Sequence, residues 1–275
     1  MMTSTIHLHG SAVAFTDTAA QPTLVLLHAF PFDREMWLPQ LKAFAGTARV
    51  LAIDLPGFGE SAPSQVTFTV ESAADTVAKL LDAVTGTGRV VIGGLSMGGY
   101  VAMAFARRHP YRVAGLILAD TRSEPDDAAA RQGREKTIAQ VTEVGASGII
   151  DQMLPKLLSD ATRANRPDVV STVRRIASRQ TTEAVVAGLL ALRDRPDATP
   201  GLDMVTVPTL ILVGEHDAIT PPVLVAGMST RISGSRVVTI PGAGHLSNLE
   251  NPDAFNTAVI EFLATVVPAI PSVKT

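Results

Sequence analysis

The stretch Arg89-Val-Val-Ile-Gly-Gly-Leu-Ser96-Met-Gly-Gly-Tyr100 decides how this chain reads. Arg89 to Ile92 is a compact run of the kind buried on both faces of a parallel sheet. Ser96 to His109 continues as an Ala-rich helical pattern that Pro110 stops. Between them lies Gly94-Leu95-Ser96-Met97-Gly98, a G-x-S-x-G turn in a strand–turn–helix setting. So tight a turn strains the serine backbone, and side chains two positions to either side would collide. Ser96 is therefore a candidate nucleophile, its Oγ raised at a helix N-terminus that favours developing negative charge. The plainer alternative is a glycine turn that only packs a helix against a sheet. Two other glycine-rich readings fail on spacing. Neither Gly93 nor Gly94 opens a G-x-G-x-x-G set, and Gly98 is followed by glycine, not by the lysine of a phosphate-binding loop.

Outward from this turn, the strand–helix alternation repeats. Leu24 to Leu27, Arg49 to Ile53, Val113 to Leu118 and Thr209 to Val213 are further compact runs, and Arg236 to Ile240 is a shorter one. Val70, Val77, Leu80, Leu81 and Val84 share one helical face. Asn251-Pro252 opens a C-terminal helix carrying Phe255, Val259, Phe262 and Leu263. This is an α/β pattern. From about Thr121 to Pro200 the alternation breaks, and helices are predicted over 126–144, 146–158, 168–179 and 182–193. The expected organisation is a core of residues 1–120 and 201–275 with a helical cap, 121–200, inserted in it.

A serine hydroxyl needs a base within hydrogen-bond reach. Of six histidines, His245 lies in a loop after the last strand, at the sheet's C-terminal edge, and is the candidate base. His7 and His9 read as solvated, His109 as a helix-end residue, and His216 as a lesser candidate beside Asp217; His28 opens a loop after an early strand. The base needs an orienting carboxylate. Asp217 and Asp120 both end strands on the same edge. Asp217 is favoured because Gly214-Glu215 supplies a turn towards the histidine loop; Asp120 is otherwise an N-cap or loop-tying group. Asp54 reads as structural. An oxyanion needs two N–H donors, assigned to the backbones of Met97 and Phe30.

Composition bounds the partners. The chain has 275 residues, 46% hydrophobic, with a net charge of −3 and a mean hydropathy of +0.26. That argues against disorder and against nucleic acid, which leaves a strongly basic stripe. Zero cysteines exclude disulfides and thiolate-ligated metals. No basic leader with an apolar core and no 18-residue apolar span is seen, so the expectation is a cytoplasmic protein that does not enter membranes.

With these pieces in place, the sequence resembles the α/β-hydrolase superfamily. The resemblance rests on His28-Ala-Phe-Pro31, Asp54-x-x-Gly57-x-Gly59-x-Ser61, Gly94-Leu-Ser-Met-Gly98, Gly214-Glu-x-Asp217 and Gly242-Ala-Gly-His245, in family order across nearly the whole chain. It implies a mostly parallel eight-stranded sheet flanked by helices, with a helical cap after the sixth strand. It is most similar to small carboxylesterases and 3-oxoadipate enol-lactonase-like hydrolases, acting on small esters or lactones without cofactor or metal. Serine at position 96 is unlike the aspartate of dehalogenases and epoxide hydrolases in this superfamily. Ala29 stands where members usually have glycine; a positive φ there would cost about 1 kcal/mol. Open alternatives on the same residues are a cofactor-free perhydrolase, a carbon–carbon bond hydrolase, and a small-ligand signalling receptor with negligible turnover. Arg174, Arg175 and Arg179 could bind a substrate carboxylate, or form a solvated helix face. Apolar residues such as Leu154, Leu157, Val185 and Leu189 pack cap on core or line an acyl pocket, and Trp37 anchors the first core helix.

Overall fold

The computed structural model describes residues 2–8, 11–18 and 23–266. Its strands are β1 (Met2–Leu8), β2 (Ser11–Asp17), β3 (Thr23–Leu27), β4 (Arg49–Ile53), β5 (Val90–Leu95), β6 (Val113–Ala119), β7 (Thr209–Gly214) and β8 (Arg236–Ile240). They form one eight-stranded sheet in the order β1-β2-β4-β3-β5-β6-β7-β8. β1 and β2 form an antiparallel pair, and β2 runs antiparallel to β4. All other neighbours are parallel. The apolar runs read from sequence are β3 to β8. β1 and β2 escape that reading because β1 alternates exposed and half-buried residues at one edge of the sheet.

Continuous apolar runs suit this sheet because both faces are covered. Val25 and Leu27 point to one core, and Leu24 and Leu26 to the other. The first core holds α2 (Val70–Thr85), α3 (Met97–Arg108) and α10 (Pro222–Arg231). The second holds α1 (Leu38–Ala43) and α12 (Pro252–Val266), with Trp37 buried against Phe255 at a ring separation of 6.0 Å. Each fully buried large apolar side chain contributes roughly 1.5–3 kcal/mol. α2 begins with a reciprocal cap: Thr69 Oγ1 accepts from Ser72 N–H, and Ser72 Oγ accepts from Thr69 N–H.

Between β6 and β7 the chain forms α4 (Ala128–Val144), α5 (Ile149–Leu157), α6 (Asp160–Asn165), α7 (Pro167–Ala177), α8 (Thr182–Asp194) and the one-turn α9 (Thr199–Leu202). A further one-turn helix, α11 (Ser247–Glu250), precedes α12. The inserted helices are strapped to the core near β3. Arg175 and Arg179 both pair with Glu35, and Arg179 Nη2 also reaches Asp33 Oδ2 at 2.7 Å. Gln180 adds a hydrogen bond to Asp33 and accepts one from Gly59 N–H. These arginines lie on an exposed helix face, as the solvated-face reading expects, and each is engaged in an ion pair there. Arg174 is paired with Asp151 on α5.

Candidate active site

Ser96 stands between β5 and α3 with φ at 55°, in the left-handed region. The flanking glycines explain how the turn closes. A Cβ on Gly94 would lie 2.1 Å from the Gly98 carbonyl carbon, and one on Gly98 would lie 2.1 Å from the Leu27 carbonyl oxygen. Those contacts are with backbone, so no side chain can be accommodated. The turn is held from the next strand: Ser96 N–H donates to Ala119 O, and Thr121 Oγ1 donates to Ser96 O, each at 2.9 Å.

The loops after β5, β7 and β8 meet at the sheet's C-terminal edge. Ser96 Oγ lies 2.9 Å from His245 Nε2, and His245 Nδ1 lies 2.8 Å from Asp217 Oδ2. Asp217 is oriented by its own loop. Its Oδ1 accepts from Ile219 and Thr220 N–H, and its Oδ2 from Thr220 Oγ1 at 2.6 Å. Burial pushes the Asp217 carboxyl up, but His245 and the Thr220 bonds outweigh it and hold the group below its ordinary value. Burial likewise pushes the His245 imidazole down. The charge and hydrogen bond of Asp217, with lesser effects from Asp120 when ionised and from Glu250, outweigh burial and raise it. Nδ1 therefore donates to Asp217, which leaves Nε2 to accept from the serine hydroxyl.

The histidine loop is also wired to the inserted helices, which local sequence gives no sign of. His245 and Leu246 N–H both donate to Leu157 O, at 3.1 and 3.2 Å. Buried Glu250 accepts from Gly244 and Leu246 N–H with Oε1, and from Ser159 N–H with Oε2. Ser159 Oγ donates to Gly242 O.

Met97 begins α3, and Phe30 lies in the loop after β3. Among described residues, Ser96 and Asp120 are the non-glycines with positive φ, so Ala29 carries no such strain. His28 fixes this loop: it is fully buried, its Nδ1 is 2.9 Å from Ala29 O, and its Nε2 accepts from Leu55 N–H. Burial lowers its pKa, so it is a neutral structural group. A Cβ on Gly188 of α8 would lie 2.8 Å from the Phe30 ring, so α8 sits directly over this loop.

The other candidates lie apart. His7 is exposed on β1, and His9 falls outside the described residues. His109 Nε2 is 2.9 Å from Asp75 Oδ1 at the end of α3. His216 is exposed beside Glu215. Asp54 is buried, pairs with Arg34 and accepts from Arg34 and Glu60 N–H. Leu154, Leu157, Val185 and Leu189 are buried. A cavity of about 450 Å³ runs beside α3 between Tyr100, Met103, Arg195, Leu202 and Val207, and neither Ser96 nor His245 lines it.

Comparison with known proteins bears on the family and the fold. Residues 24–258 match the model of the Alpha/beta hydrolase family. The chain belongs to the alpha/beta hydrolase family. Among solved members, a thermophilic esterase from Thermogutta terrifontis is 40% identical, with a TM-score of 0.92 over 97% of this chain and 99% of that one. The enol-lactonase from Burkholderia xenovorans LB400 is 26% identical, with a TM-score of 0.87 over 95% of this chain and all of that one. A pimeloyl-[acyl-carrier protein] methyl ester esterase of Neisseria meningitidis is 31% identical over 88% of this alpha/beta hydrolase and 93% of the relative. No helix among the described residues is long and apolar enough to cross a membrane.

Proposed function

We propose that the protein hydrolyses a small carboxylic ester or lactone through an acyl-enzyme, with Ser96, His245 and Asp217 as a catalytic triad. The observation that carries this reading is the continuous hydrogen-bonded series Ser96 Oγ–His245 Nε2 and His245 Nδ1–Asp217 Oδ2. Ser96 Oγ attacks the carbonyl carbon as its proton passes to His245 Nε2. Asp217 holds the tautomer and stabilises the imidazolium. The Met97 and Phe30 N–H groups receive the developing oxyanion. His245 returns its proton to the leaving alkoxide, then takes one from water as the water oxygen attacks the acyl carbon, and gives that proton to Ser96 Oγ as the acyl C–O bond breaks and the acid leaves. The inserted helices, residues 121–200, form the cap over this site. The likeness to esterases and an enol-lactonase supports the reaction class.

Arg175 and Arg179 are committed to Glu35 and Asp33. The reading therefore favours a neutral ester over an anionic lactone. The test compares kcat/KM on p-nitrophenyl acetate and on 3-oxoadipate enol-lactone. The ester is expected to be preferred, and Ser96→Ala is expected to lower turnover about 10⁴-fold or more. A hundredfold preference for the lactone would reverse the substrate assignment. Full activity in Ser96→Ala would overturn the triad. Tight binding of a small ligand with slow single turnover would indicate a receptor instead.

A further inference from the structure

Asp120 is a buried carboxyl that the proposed reaction does not use. It ends β6, which lies between β5, carrying Ser96, and β7, carrying Asp217. Its backbone φ is 44°, and its side chain is fully buried. Asp120 Oδ1 accepts from Gly214 N–H at 2.8 Å, at the root of the Asp217 loop. Asp120 Oδ2 meets the Ser247 hydroxyl and its N–H, two residues beyond His245. Its neighbours Ala119 and Thr121 grip the Ser96 backbone. One strand end thus ties together all three loops of the site.

The charges around Asp120 are specific. Asp217 faces it from the loop after β7, and His245 from the loop after β8. Glu250 on α11 acts on the same imidazole. Among the described residues, no arginine or lysine pairs with Asp120. We propose that Asp120 is a positioning residue of the triad, a proton-carrying acid that bolts the Asp217 and His245 loops together and, on ionising, adds a second negative charge beside the His245 imidazolium. This rests on the triad reading above.

The hydrogen bonds hold in both forms. As the acid, Asp120 accepts from Gly214 at Oδ1, and its Oδ2–H donates to Ser247 Oγ. As the anion, it accepts from Ser247 O–H instead. Burial, and then the charge of Asp217, push this carboxyl up to about 8. Below that pH it is neutral, and above it the anion favours the imidazolium that forms in the transition state. Because the charges of Asp120 and His245 act on one another, the rise of activity with pH is broader than one titration.

The test uses Asp120→Asn, an isostere of the neutral acid, and Asp120→Ala, with p-nitrophenyl acetate from pH 6 to 9.5. Asp120→Asn is expected to match the wild type within about threefold in kcat near pH 6. It is expected to fall about tenfold behind near pH 9, with KM unchanged and a single-step profile. Asp120→Ala strands Gly214 N–H and Ser247 O–H, and is expected to lose at least tenfold in kcat at every pH, rescued near pH 6 by asparagine. A wild-type to Asp120→Asn ratio that does not change with pH would overturn the proposal. So would an Asp120→Asn protein that is unfolded or inactive at pH 6, since the carboxylate would then be required as an anion throughout. Wild-type turnover and its loss in Ser96→Ala report on the triad separately, so failure of one reading is distinguishable from failure of the other.

Discussion

Ser96 and Asp120 hold left-handed backbone conformations on adjacent strand ends, at φ 55° and 44°. Each such position costs on the order of 1–3 kcal/mol and persists only where its surroundings over-determine it. At both, the surrounding hydrogen bonds hold the hydroxyl or carboxyl within the site. His245 gives a consequence for pH. Ester attack needs the neutral imidazole, and the neighbouring carboxylates raise its pKa. Activity is therefore expected to fall as pH drops through a midpoint above the ordinary histidine value of about 6.5. Glu250→Gln removes one of those charges and is expected to move the midpoint to lower pH, read from kcat/KM against pH. Ser96 was legible in the sequence because its glycine spacing is local. Between Asp217 and Asp120, which both end strands on one edge, the sequence favoured Asp217 on its Gly214-Glu215 turn, and the contact with His245 is made by Asp217. The role of Glu250 was not legible, since its partners Gly244, Leu246 and Ser159 include one 91 positions away.

At the level of elements, the elbow between β5 and α3 is set by excluded volume. Gly98→Ala would drive a Cβ into the β3 backbone at Leu27. A clash with backbone cannot be relieved by a rotamer change, so the cost is expected to exceed about 1–3 kcal/mol. The expected outcome is a lower melting temperature together with lost turnover, because Ser96 and the Met97 N–H move with the turn. Long periodic elements such as α2, α3 and α12 were readable from their apolar spacing. α6, α9, α10 and α11 were not, and α1 was expected only as a helix anchored by Trp37. Four to ten residues give the helical period little room to show itself. α11 buries Ser247, Asn248 and Glu250 alongside Leu249, so no apolar spacing marks it.

Across the whole molecule, the two ends of the insertion between β6 and β7 are joined to each other by a buried charge cluster. Arg122 follows β6, Arg134 lies on α4 and Arg195 follows α8, and all three converge on the buried Asp126 carboxylate. Arg195 also stacks over Tyr100, 4.4 Å from the ring centre. Burial pushes the Asp126 carboxyl up, but Arg134 and then Arg195 outweigh it and hold it below its ordinary value. Its stabilising contribution is thus fully present above an unfolded carboxylate pKa of about 4 and is lost as pH falls through the lower folded value. Asp126→Asn leaves three cations short of a counter-charge and is expected to cost about 3–5 kcal/mol at pH 7. The gap in melting temperature between the two proteins is expected to narrow below about pH 4, which a thermal-melt series across pH would show.

The sequence by itself determined the α/β architecture, the strands β3 to β8, the helical character of the insertion and the candidate nucleophile. Each is a local property: an unbroken apolar run marks a strand covered on both faces, and a glycine spacing marks a turn with no room for side chains. Tertiary structure alone decided that Asp120 ties the Asp217 and His245 loops together, that Arg175 and Arg179 strap the insertion down, and that Leu157 and Ser159 hold the histidine loop. Those are contacts between residues far apart in the chain. No local pattern encodes such partners, because they meet only after the sheet has brought its strand ends to one edge.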